Sequence, residues 1–376
     1  MSQKNTSKCI LSVCDISPNK RGSFEEFLIS LTEKLRENEI NHVILFRDKP
    51  IKSIEEILLK KGAEIDIFKP SKFSIFNFFS LHKIIKEIRP EIAHFHFYPV
   101  YSIVNYLAFF LRIKLIYTDH MGHKKANAFS KKAIRRIYYY TNSKLFNYGI
   151  SSIICVSNFV KDKYRKEYGI HSEKLSVIYN GINTERFQKV PDIEKVKEKY
   201  NIKDEFVVSC VSLRREKGVQ CLINAAPAVI RNAPKTKFVL VGEDGSRSSL
   251  EEHIKELNLE NNFIFTGNTD RIEEIYSISS CVVIPTLADE AFCFVAAEAM
   301  STETTVIAFD SGALKEILYD KSNVISESSQ ALSEKIVECL ENSDSSTKAA
   351  REHVTRNFSI DKSTHSYTDL YKDLLK

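Results

Sequence analysis

The chain has 376 residues, of which 43% are hydrophobic, enough to bury the cores of two ordinary domains. No run of about 18 apolar residues occurs, so a membrane-spanning helix is not expected. The formal net charge is a modest +5; nucleic acid would be a competing partner for the basic residues, but no nucleic-acid motif accompanies them.

The first residues, Met-Ser-Gln-Lys-Asn-Thr-Ser-Lys, show no cleavable signal pattern, which leads us to expect a cytoplasmic protein. Strand-like apolar runs then alternate with helical patterns: Ile10–Cys14, His42–Phe46, Ile92–His96, Leu115–Tyr117 and Ile153–Val156. Helices are expected between them, among them Phe24 to Asn38 and Leu81 to Ile88. The boundary between domains is expected between Asn183 and Asn201, where Pro191 and a charged stretch break the apolar pattern. The second half repeats the alternation at Val207–Val211, Phe238–Val241, Phe263–Phe265, Val282–Ile284 and Val306–Ala308. The fold class is therefore α/β, with two doubly wound domains, whose ligands bind at the carboxyl ends of the strands. A terminal amphipathic helix carries Tyr367, Leu370, Tyr371 and Leu374 on one face.

Charge divides with the halves. Residues 1–180 carry a balance of +13 and residues 181–376 one of −8. The first half is thus the one suited to an anionic partner, either a membrane surface or a phosphorylated acceptor. Lys124, Lys125, Lys131, Lys132, Arg135 and Arg136 stand beside Phe129, Ile134, Ile137 and three tyrosines. Phe73, Phe76, Phe78 and Phe79 lie upstream. Basic residues with interfacial aromatics suit an anionic bilayer, and an ordinary amphipathic helix would show the same pattern. The eight cysteines form no C-x-x-C and no zinc-type pairing with histidine, and read as small core residues in a reducing compartment.

The densest chemical signal is the pair Glu290 and Glu298. The run Cys281–Pro285 reads as a buried strand ended by proline, and a helix is expected from about Phe292. That puts Glu290 in the loop before the helix, with Glu298 two turns in and leaning back towards the helix N-terminus. Unpaired N–H groups there suit a phosphate, and carboxylates above them accept from sugar hydroxyls. The combination points to a ligand that is part phosphate and part polyol.

Several motifs in order resemble the retaining glycosyltransferases of family 4, with their two-domain GT-B fold and central cleft. They are Val156-Ser157, Val177–Asn183 before Phe187, Glu216-Lys217-Gly218, Val239–Gly242, Phe265-Thr266-Gly267, Glu290-x7-Glu298-Ala-Met300, Val306–Ala308 and Glu316. The resemblance implies an N-terminal acceptor-side domain over residues 1–185, a nucleotide-sugar domain over 186–357 and a C-terminal helix, 358–376, crossing back to the first.

It also implies the roles. Lys217 contacts the donor diphosphate; the arginine usual five residues earlier is Ser212 here, so Arg214 or Arg215 is expected to supply the second positive charge. Glu298 holds the ribose hydroxyls and Glu290 orients the transferred sugar. Gly242, Phe292, Cys293 and Phe294 border the donor; Cys293 stands where glycine is usual, as does Glu303, and Ser311-Gly312-Ala313 keeps one glycine of two. In the first domain Gly22 approaches the donor phosphate and His120 the transferred sugar, while His94 and His96 read as structural.

No Asp-x-Asp motif appears, so metal-independent transfer from a nucleotide-diphosphate sugar, UDP-linked by preference, is expected. The acceptor would be a glycan or a lipid-linked glycan at the inner membrane face, in bacterial surface polysaccharide synthesis. A GT-B nucleotide-sugar epimerase and a non-catalytic nucleotide-sugar binder are the alternatives.

Overall fold

The computed structural model describes residues 8–120, 137, 140, 141, 144, 145, 147, 149–168, 172–342 and 346–376. The chain divides into two compact units: one runs to Gly181 and includes Ile360–Lys376, and the other is Ile182–Ser359. The division thus falls before residue 185, and again at Ser359–Ile360 rather than after 357. Ile182 is fully buried, pairs in parallel with Ser359 and donates to the Phe358 carbonyl at 2.9 Å, so the chain has joined the second unit well before Pro191.

The first unit is built on seven parallel strands: β1 (Cys9–Cys14), β2 (Asn41–Phe46), β3 (Ala63–Ile67), β4 (Ile92–His96), β5 (Lys114–Asp119), β6 (Ile150–Cys155) and β7 (Leu175–Val177). Their order in the sheet is β3-β2-β1-β4-β5-β6-β7. The inner strands are near-continuous apolar runs because helices cover both faces. On one face Ile10, Ile44 and Ile116 pack with Leu28, Leu31 and Leu35 of the Ser23–Glu37 helix, and with Tyr367 and Tyr371 of the Ile360–Leu375 helix. Those two tyrosines also satisfy buried polar atoms: the Tyr371 hydroxyl meets His94 Nδ1 at 2.5 Å and the Tyr367 hydroxyl meets Thr118 Oγ1 at 3.2 Å.

The second unit has six parallel strands: β8 (Phe206–Val211), β9 (Thr236–Val241), β10 (Phe263–Gly267), β11 (Cys281–Ile284), β12 (Thr305–Phe309) and β13 (Val324–Ile325). The order is β10-β9-β8-β11-β12-β13. Val208, Cys210, Phe238 and Leu240 face the Val219–Asn232 and Ser329–Glu341 helices through Leu222, Ile223, Leu332 and Ile336. The opposite face packs Val207, Val239 and Val241 against Val196, Ile275 and Ile278. In each sheet chain progression reverses direction at the first strand, between β1 and β4 and between β8 and β11. The loops leaving these neighbours diverge there and open a crevice at the strands' carboxyl ends.

None of the eight cysteines forms a disulfide, and five are buried. Among the described residues no helix is long and apolar enough to cross a membrane. The basic cluster from Lys124 to Arg136 lies outside the described residues.

Candidate active site

In the second unit the site grows from the loops that follow β8, β11 and β12. The first turns back at Arg215–Lys217 and ends on Gly218, whose φ is +73°. A Cβ on Gly218 would lie 1.8 Å from the Pro285 carbonyl oxygen, so only glycine lets this turn rest against the exit of β11. Two bonds then lock the loops together: Leu287 N–H to the Glu216 carbonyl at 2.9 Å and Thr286 Oγ1 to the same oxygen at 3.4 Å.

The loop after β12 presses on the same segment. Gly312 has φ +60°, and a Cβ there would lie 2.2 Å from the Glu290 carbonyl oxygen and 2.4 Å from its nitrogen. The Ala313 N–H bonds the Glu290 carbonyl at 2.8 Å, and Ser311 Oγ bonds the Ala288 carbonyl at 2.8 Å. Glu290 is thereby fixed by its backbone, and its side chain meets Lys217: Nζ donates to Oε1 at 2.6 Å. Both side chains keep some exposure, 24% for Lys217 and 11% for Glu290. The topological switch of the second sheet thus presents a cation held in place by a carboxylate.

The helix carrying Glu298 spans Phe294–Ser301, so it starts two residues later than the sequence pattern suggests. The cause is Cys293, which adopts φ +76° and ψ +84°, a left-handed turn that a side chain resists and a helix cannot include. Its thiol is buried, and burial, reinforced by Glu290, pushes its pKa well above the usual thiol range. Glu298 is buried and accepts a hydrogen bond from the Tyr276 hydroxyl at 3.0 Å. Burial, and then the Glu298 charge, hold the Tyr276 phenol far above its ordinary pKa, so it stays a donor. Nothing in the sequence singled out Tyr276: it lies in the short mixed helix Ile272–Ile278, which carries no motif.

The other expected donor residues distribute unevenly. Phe292 points inward, its ring 5.4 Å from those of Phe294 and Phe358, and anchors the loop. Gly242 has φ +118° at the end of β9 and donates to the Gly267 carbonyl at 2.9 Å. Arg214 is exposed and paired with Glu216 at 3.5 Å; Arg215 is exposed. Among the described residues no three His, Cys, Asp or Glu side chains converge as a metal site would need.

In the first unit Gly22 lies past β1 and His120 past β5, on either side of β4. Gly22 caps the Ser23–Glu37 helix, but its N–H is taken by the Glu25 carboxylate at 3.0 Å, and Arg21 pairs with Glu26 at 2.6 Å. His120 lies just past β5, with Phe97 stacked on it at 4.6 Å and Phe24 edge-on at 5.1 Å. Its Nε2 is 3.0 Å from His96 Nδ1. Burial lowers the His120 pKa to about 3 against a hydrogen bond with Asn180 that works the other way. His120 is therefore uncharged near neutrality, able to orient a hydroxyl but not to act as an imidazolium acid.

Residues 192–356 match the glycosyl transferases group 1 family and residues 24–186 match glycosyltransferase family 4. Over 201 residues the chain is 31% identical to an uncharacterised glycosyltransferase of Methanocaldococcus jannaschii, a match spanning 52% of this chain and 50% of that one. It is 23% identical to the alpha-monoglucosyldiacylglycerol synthase of Streptococcus pneumoniae over 77% of this chain and 68% of the relative. The first of these matches spans about half of the relative's own length. A glycosyltransferase from Rickettsia africae superposes with a TM-score of 0.82 at 23% identity, covering 99% of both chains. Anabaena HepE in complex with UDP superposes at 0.78 and 21% identity, covering 97% of this chain and 99% of that one. Two family matches covering most of the chain, on two parallel sheets each flanked by helices, lead to one assignment: the chain belongs to the group 1 glycosyltransferases of the GT-B fold.

Proposed function

We propose that the chain is a retaining glycosyltransferase that moves a sugar from a nucleotide diphosphate, UDP by preference, to a hydroxyl of a glycan or lipid-linked acceptor. The observation that carries the reading is the Lys217–Glu290 pair at the switch between β8 and β11. A diphosphate draws the Lys217 ammonium off Glu290 and releases that carboxylate to the donor sugar. Negative charge builds on the leaving diphosphate as the glycosidic bond breaks, and Lys217 stabilises it there. Glu298, held by Tyr276, accepts from the ribose hydroxyls. The acceptor hydroxyl attacks from the face the diphosphate leaves, so the enzyme forms no covalent intermediate.

Support for UDP comes from Anabaena HepE, solved in complex with UDP and with UDP-glucose. Support for a surface-glycan acceptor comes from relatives named as a lipopolysaccharide 1,2-N-acetylglucosaminetransferase and an O-antigen chain mannosyltransferase of Salmonella typhimurium. The reading needs no divalent metal in the chemical step, and protein assayed in excess chelator should keep most of its rate.

A nucleotide-sugar panel scored by thermal shift tests the donor, because a ligand that binds the native state alone raises its stability. Glu298→Ala should weaken nucleotide binding, while Lys217→Ala should lower kcat more than it raises KM. Wild-type turnover in the double variant would overturn the assignment.

A further inference from the structure

The first unit exposes an aromatic surface that its fold does not use. On the Ser74–Ile88 helix, Asn77, Leu81 and Ile85 recur at a spacing of four and are buried, so the helix is already seated on its core. The other side carries Phe76 and Phe79, 59% and 62% exposed, with Phe73 at the N-cap 67% exposed. Phe109 and Phe110 of the short helix Leu107–Leu111 are 76% and 62% exposed. The Phe78 ring joins the two helices, 5.5 Å from Phe79 and 5.9 Å from Phe110. Five phenylalanines left in water on two touching helices are far from the scattered single apolar residues of an ordinary surface.

The patch is presented rigidly. The buried Asn77 side chain grips the entry loop at both ends, accepting from the Ser71 N–H at 2.6 Å and donating to the Ser71 carbonyl at 3.0 Å. Charge then selects the partner. Residues 69–86 contain Lys69, Lys72, Lys83 and Lys86, of which Lys69 is paired with Asp48 at 3.2 Å, and the exposed Glu87 one turn after Lys83 is the one carboxylate on that helix. Residues 107–114 contain Arg112 and Lys114 and no carboxylate, so the patch keeps a net positive charge. Lys83 and Lys86 follow Phe79 by four and seven residues, on the same helix face. A second copy of the chain on this surface would set cation against cation, because a two-fold interface pairs a patch with itself.

We propose that this surface docks on an anionic lipid bilayer, with the phenylalanines entering the headgroup–acyl boundary and the lysines and Arg112 lying among the anionic headgroups. The inference does not rest on the transferase reading, since it concerns a surface carrying none of the donor residues. It differs in place from the Lys124–Arg136 cluster.

The chain has no tryptophan, so Phe79→Trp installs a single reporter. On mixing with phosphatidylglycerol–phosphatidylcholine vesicles its emission should shift to the blue, and a quencher carried on the acyl chains should dim it. The wild-type protein should float with these vesicles and not with pure phosphatidylcholine. Floated protein should fall by about tenfold or more when Phe76, Phe79, Phe109 and Phe110 are all changed to serine. Lys72→Gln, Lys83→Gln and Arg112→Gln together should lower the salt concentration at which binding is lost. All these positions are exposed, and an unchanged thermal melt confirms that each variant folds. An unshifted emission from the Phe79→Trp reporter, flotation that survives the serine changes, or lipid-free self-association abolished by them would each overturn the proposal; the last would make the patch a protein interface.

Discussion

Gly312 and Gly218 hold the loops of the candidate site by having no side chain. In Gly312→Ala the new methyl would sit 2.2 Å from rigid backbone at Glu290, so the loop must move and carry the carboxylate with it. We expect a loss of about 2–3 kcal/mol in stability, read by urea unfolding of the second unit, together with weakened nucleotide binding. Tyr276 sets a subtler test. Tyr276→Phe removes one donor to the buried Glu298 carboxylate without changing the packing. Titration calorimetry should show nucleotide affinity reduced by about 1 kcal/mol, roughly fivefold, with kcat for bound donor little changed. Glu290, Glu298 and Lys217 could be picked out of the sequence as candidates because charged side chains at motif spacing stand out from their surroundings. Tyr276 could not, since its hydroxyl reaches Glu298 only through the packing of two helices. The inward turn of the Phe292 ring was not legible, because spacing says nothing of which way a ring points.

At the scale of elements, what the sequence revealed depended on burial. All the inner strands are apolar enough to announce themselves. The three that escaped, β3, β7 and β13, are edges of their sheets: β3 reads Ala-Glu-Ile-Asp-Ile with one buried residue, and β13 has two residues. These three are short or carry charged residues, so they lack the continuous apolar run that marks the others, the edge strand β10 with its Phe263-Ile264-Phe265 included. The Phe294–Ser301 helix starts late for a local reason, the left-handed Cys293, which no helix propensity reports. The Ile360–Leu375 helix was visible as an amphipathic face, but not the polar contacts of that face. Tyr371→Phe should leave His94 Nδ1 without its partner at full burial. The expected cost is about 1–3 kcal/mol, confined to the unfolding of the first unit.

For the molecule as a whole, buried histidines make the two units respond differently to acid. His42 is bonded to Ser12 and Thr32, and burial lowers its pKa to about 3. Burial also holds His94 and His96 well below their ordinary value of 6.5, with the neighbouring imidazoles adding to the effect. Above pH 6.5 these groups are neutral folded or unfolded and contribute no pH dependence. Below it the unfolded chain binds protons that the folded unit refuses. Stability is therefore lost as pH falls from 6.5 towards 3, by about 1.4 kcal/mol per pH unit for each histidine. Urea midpoints for the first unit, measured across that window, should fall accordingly, and His42→Gln should lower the slope by one proton. A first unit insensitive to pH between about 6 and 4 would contradict this. The division of the chain has a further consequence, in time. The second unit is one continuous stretch, whereas the first needs Tyr367 and Tyr371 to close over Phe27 and His94. On a ribosome adding about 5–20 residues per second, the first strands would wait roughly twenty to seventy seconds for that helix. Throughout that interval the earlier-made half is the one left open to chaperones, and the later-made half is the first to be finished.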